Sequence, residues 1–199
     1  MDSLLSQVNE RLDDNAISQL SRQLGVDQNT TRQAVPAALT ALLGGLSQNA
    51  ANPAGAQQLA GALSRDHDGG ILDDLAGFLG NPQNPQQLQG AGILGHIFGN
   101  RQPNVASRVG QASGLDSAKA MKLLMLLAPL VLGALGRAQR QKKLDPGGIS
   151  DVLGTERRRV EQAQPQSGGL LNVLLDRDGD GSIMDDLAGM AGGMLGNRR

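Results

Sequence analysis

The stretch LSRQLGVDQNTTRQAVPAALTALLGGL, residues 20–46, starts on an amphipathic pattern, breaks at Gly-Val-Asp and resumes as a run of Ala and Leu. Ile17, Leu20 and Leu24 recur at helical spacing. Gly25 offers the left-handed residue that ends a helix, and Asp27 the side chain that caps the next one. The stretch therefore reads as helix, stop, helix. The second helix is apolar on nearly every side, as a helix at the centre of a core is. Pro36 inside the apolar run predicts that this helix starts there or kinks there.

The same grammar returns in VGQASGLDSAKAMKLLMLLAPLVLGAL, residues 109–135, at a constant offset of 89. Gly25 falls on Gly114, Asp27 on Asp116, and Gly44 on Gly133. Asp116 or Ser117 is the expected cap of the second long helix, and Pro129 repeats the expectation made for Pro36. Each copy then passes through a polar stretch to Pro-Ala-Gly at 53–55 or Pro-Gly-Gly at 146–148. An internal repeat of this length points to a duplicated helical module.

Composition agrees with helices. Of 199 residues only Phe78 and Phe98 are aromatic, so the core must be built from Leu, Val, Ile, Met and Ala. Strands draw on β-branched and aromatic residues that are scarce here. The net charge is −1, which gives no global field for nucleic acid or an anionic membrane. The absence of cysteine removes disulfides, thiolate catalysis and finger-type zinc sites. The N-terminus MDSLLSQVNERLDD lacks the basic end and apolar run of a secretory signal, so a cytoplasmic location is the expectation, with export by another route left open. The most apolar run, LLMLLAPLVLGALG at 123–136, is short of the roughly 20 residues that span a bilayer, and no membrane span is expected.

A second echo concerns acidic loops. DRDGDGSIMDDLAGMAGG, residues 176–193, aligns with SRDHDGGILDDLAGFLGN, residues 64–81, so that Asp178, Asp180, Asp185 and Asp186 fall on Asp66, Asp68, Asp73 and Asp74. In the C-terminal loop Asp176, Asp178 and Asp180 take positions one, three and five of an EF-hand-like calcium loop. Gly181 takes position six, Ser182 can present its carbonyl at seven, and Ile183 is the apolar anchor at eight. The pattern departs at its end, where Leu187 stands in place of the bidentate Glu of position twelve. Asp186 is then the expected closing ligand, with Asp185 secondary. Because Asp is one methylene shorter than Glu, the affinity expected is weak, about 10⁻⁴ to 10⁻³ M. A calcium site this weak stays mostly empty in a cytoplasm, so the protein leaves by a route its N-terminus does not show, or the loop serves another ion or none. The competing reading of both loops is structural, since Asp and Gly make turns and Asp is favourable at a helix start. For the loop of Asp66, Asp68, Asp73 and Asp74, which lacks the first Asp and the serine, the capped turn is preferred to a second, weaker metal site. His67 within it is expected to face solvent.

Other stretches carry less. Residues 17–35 resemble a helix-turn-helix, but their second helix runs straight into an apolar segment, which favours packing over DNA reading. A DNA-binding role predicts salt-dependent binding lost on neutralising Arg22 and Arg32. Arg137, Arg140, Lys142, Lys143 and Arg157 to Arg159 suit either an acidic partner or the C-terminal dipole of a buried helix, and the second is preferred. GHIFG at 95–99 holds His96 without a nucleophile, and reads as a tight turn anchored by Ile97 and Phe98. GNPQNPQQLQG at 80–90 and EQAQPQSGG at 161–169 read as linkers.

The combination of LGVDQNTTRQAVPAALTALLGGL, GILGHIFG and DGDGSIMDDLAG resembles the bacterial domain of unknown function family 937 (DUF937), related to the YidB-like helical proteins, over most of the chain. The matches lie at Gly25, Ala34, Pro36, Leu43 and Gly44, then at 92–99. The resemblance implies an all-α, homeodomain-like helical fold with no established activity. The expected organisation is a first helical module at 1–63, a degenerate acidic loop, helix and linker at 64–100, a second module at 101–165, and the EF-hand-like loop and helix at 166–199. The expected function is non-catalytic, with weak Ca2+ binding by Asp176, Asp178, Asp180, Ser182 and Asp186. The alternatives are a nucleic-acid-binding protein and a structural or interaction protein without metal. A protein partner or self-association fits the reading, and nucleic acid does not.

Overall fold

A computed structural model of the chain describes residues 3–81 and 83–163. The protein is all-α, and the described residues contain no strand. The helices are α1 (Leu4–Arg11), α2 (Asp14–Leu24), α3 (Gln28–Ala50), α4 (Pro53–Asp66), α5 (Leu75–Gly80), α6 (Pro85–Leu88), α7 (Gly90–Phe98), α8 (Gln102–Ser113), α9 (Ser117–Lys142) and α10 (Pro146–Ala163). Short 3-10 turns at Gly70–Leu72 and Gly99–Arg101 join them.

The long helices α3 and α9 form the centre, because each has a stretch that is apolar all round. Residues 38–47 and 126–136 are buried without interruption, and at the offset of 89 the first falls within the second. The two helices pack on each other. The remaining elements surround them, with α8 against both α3 and α9, α10 against α3 and α4, and α1 and α7 against α9. By length and composition α9 is apolar enough to cross a membrane, but 72% of its most apolar stretch is buried by these neighbours.

Local chemistry sets the boundaries in matched pairs. Gly25 (φ 68°) ends α2 and Gly114 (φ 74°) ends α8, both in the left-handed region that a side chain disfavours. Asp27 then caps α3 by accepting from the Thr30 N–H at 2.9 Å, and Asp116 caps α9 by accepting from the Lys119 N–H at 2.8 Å. The correspondence continues one helix further. Asn52 caps α4 through the Gly55 N–H and Asp145 caps α10 through the Gly148 N–H, each at 2.7 Å.

Three sequence expectations are corrected. Pro36 and Pro129 neither start nor interrupt their helices, which run through both. The carbonyl of Met125, four residues before Pro129, loses its helical donor. Gly90 packs against that carbonyl so closely that a Cβ would overlap it. The stretch 80–90 is more than a linker, since it contains α6 and the buried Gln87, whose amide donates to the Phe78 carbonyl. GHIFG is the C-terminal half of α7, ended by Gly99 at φ 54°, and Ile97 and Phe98 are buried as anchors.

The boundary placed between 100 and 101 does not separate two bodies. Leu20, Leu42, Leu43, Leu123, Leu127 and Leu135 belong to one hydrophobic cluster. Helices α2, α3 and α9 therefore share a core.

Candidate functional site

The C-terminal acidic loop, with Asp176, Asp178, Asp180, Ser182, Asp185 and Asp186, lies outside the described residues. Its relative at 64–81 is described. There α4 ends at Asp66, the chain turns at Gly69 (φ 90°), and the 3-10 turn Gly70–Leu72 leads to α5. Gly69 aligns with Gly181, so the sharp turn of position six is made in this loop. Ile71, aligned with the apolar anchor Ile183, packs against the core, and Leu72 is buried.

The carboxylates of this loop serve as caps and ion-pair partners. Asp68 accepts from the Gly70 N–H at 2.9 Å and stands 3.8 Å from Arg140. Asp73 pairs with Arg137 at 2.6 Å, and the same guanidinium donates to the Gly69 carbonyl at 2.8 Å. The hydrogen bond that Asp73 accepts from Arg137, with the positive charges of Arg137 and Arg11, holds its carboxyl below the ordinary value. Asp74 caps α5 through the Gly77 N–H at 2.9 Å. Among the described residues no three His, Cys, Asp or Glu side chains converge as metal ligands would. In the described loop Asp68, Asp73 and Asp74 thus serve a turn, a helix cap and ion pairs with arginines of α9. His67 is half-buried, contrary to the expectation of a solvent-facing side chain, and burial pushes its imidazole below the ordinary value.

The loop is seated by two glycines of α9. A Cβ at Gly136 would overlap the His67 carbonyl, and one at Gly133 would press on the Ile71 side chain. Arg137 and Arg140 face the acidic loop, Arg157 pairs with Glu161 at 3.6 Å, and Arg159 pairs at 3.1 Å with the buried Glu156.

The helix-turn-helix stretch is the α2–α3 corner. Arg22 donates to the Ser18 hydroxyl at 2.8 Å, and Arg32 pairs with Asp14 at 2.8 Å. Both arginines named for DNA contact are engaged within the corner. On α3, Thr31, Ala34, Val35 and Ala38 are buried, so this helix packs inward along much of its first half.

Sequence reading missed a groove of about 700 Å³ between α3, α4 and α7. Leu46, Ile93, Ile97 and Leu132 line it, together with Asn49, Arg65 and both histidines of the chain. Asn49 ties α3 to α7 by donating to the His96 and Ile97 carbonyls at 3.0 and 3.1 Å. Its lining comes from residues 46–67, 93–97 and 132, and no local motif announces such a site.

No curated protein and no solved structure matches the chain. The family model described as "Bacterial protein of unknown function (DUF937)" matches residues 6–138. That span holds α2 to α8, with the acidic loop, and most of α9. The chain belongs to the DUF937 family of bacterial proteins.

Proposed function

We propose that this is a non-catalytic helical protein that takes up Ca2+ weakly through its C-terminal acidic loop. Asp176, Asp178 and Asp180 would supply carboxylates, Ser182 its carbonyl, and Asp186 the closing ligand, with Asp185 beside it. The observation that carries the reading is a contrast between the two loops. In the described loop, Asp68 and Asp73 face Arg140 and Arg137 of α9. At the offset of 89, the corresponding positions are Gln48 of α3 and Ala51 just past its end. The sequence that repeats the end of α9 thus lacks both arginines. The C-terminal loop also carries one more carboxylate, Asp176 where the first loop has Ser64. Five carboxylates within eleven residues repel one another unless a cation neutralises them. A divalent ion with oxygen ligands is the partner their spacing suits.

The non-catalytic reading rests on the sequence, where neither histidine stands with a nucleophile in a catalytic arrangement. Equilibrium dialysis of the full chain against radioactive calcium tests the proposal. About one calcium per chain retained at millimolar concentration, and lost in the Asp178→Ala/Asp180→Ala variant, is the expected result. Equal retention by wild type and variant would sink it.

A further inference from the structure

We propose that the groove between α3, α4 and α7 binds a small amphipathic carboxylate, with its apolar body on the groove floor and its head at Arg65. The volume of about 700 Å³ lies within the range of small-molecule sites. Leu46, Ile93, Ile97 and Leu132 form an apolar floor, and each belongs to the core cluster, so the floor is fixed by packing on its inner side.

The wall contributed by α4 leaves room. A Cβ built on Gly61 would meet only the Arg65 guanidinium, at 3.5 Å, so the Arg65 head lies over the glycine that lines the groove. Arg65 is the one basic side chain of Lys or Arg type among the lining residues, and its guanidinium has no ion-pair or hydrogen-bond partner among the described residues. A single unpaired cation above an apolar floor selects a ligand with one negative charge and an apolar body. Asp66 is the one acid of the lining, and it also borders the small cavity on the far side, lined by Asp68 and Gln89. His67 borders that cavity as well, so both residues stand at the boundary of the groove. His67, whose imidazole burial pushes below its ordinary value, adds a hydrogen-bonding nitrogen.

The calcium reading does not enter this inference, since no residue is shared between the two sites. The chain has two histidines and both line the groove, so their imidazole Cε1–H signals report directly on occupancy. Octanoate titrated into the full chain should shift both signals saturably. Octan-1-ol, with the same body and no charge, should bind about tenfold more weakly, and Arg65→Gln should weaken octanoate by a similar factor. Gly61→Leu should abolish the shifts while leaving helical circular dichroism intact, because the added side chain fills open space on a helix. No saturable shift at millimolar octanoate, or equal binding of octanoate by Arg65→Gln, would overturn the proposal. So would octanol binding as tightly as octanoate.

Discussion

Gly136 lies where the loop after α4 meets the central helix, and its lack of a side chain sets the distance between them. A methyl group there would overlap the His67 carbonyl, which is backbone and cannot rotate aside. Gly136→Ala should therefore destabilise the fold by about 1–3 kcal/mol, the range for overpacking a close contact, despite the gain in helix propensity. Chemical denaturation measures it, and an unchanged or raised midpoint would show that the seat is looser than described. The sequence held no signal for this role. Gly136 ends an apolar run in which glycine reads equally well as a weak point of the helix, and only the approach of residues 66–73 explains it. The two residues with local jobs, Gly25 and Asp27, were legible for the opposite reason. A left-handed stop and an N-cap act within three or four residues, so spacing alone reveals them.

Among the elements, the matched boundaries of α2–α3–α4 and α8–α9–α10 are the strongest link between sequence and structure. Asn52 and Asp145 were not singled out in the sequence, yet each makes the same cap at the same distance. Asn52→Ala and Asp145→Ala should each cost about 1 kcal/mol, which for a chain of this length lowers the thermal midpoint by about 2–4 °C. Near-equal losses are expected from the common geometry, and a negligible loss at one site would deny that its cap works like the other. The prolines show where local rules gave way. Neither Pro36 nor Pro129 starts its helix, because burial along α3 and α9 outweighs one missing hydrogen bond in each. Gly90 against the Met125 carbonyl is a contact across the fold that spacing does not record.

At the scale of the molecule, composition and the two apolar runs were enough for the all-α class. The division into separate modules was not, because the partners of a buried helix are not written in its own segment. With α3 packed on α8, α9 and α10, cutting the chain between 100 and 101 takes from each central helix described neighbours that lie in the other half. Each half alone should lack a cooperative thermal transition, and the full chain should show one. Two transitions matching the excised halves would contradict the shared core. The two acidic loops carry the functional account, since arginines of α9 neutralise the first, and the second is proposed to rely on a cation. Isothermal titration calorimetry of the full chain with calcium, beside the Asp178→Ala/Asp180→Ala variant, tests that claim most directly. The account predicts a saturating heat with Kd of about 10⁻⁴ to 10⁻³ M in the wild type and none in the variant. No heat above the variant's baseline at millimolar calcium would contradict it.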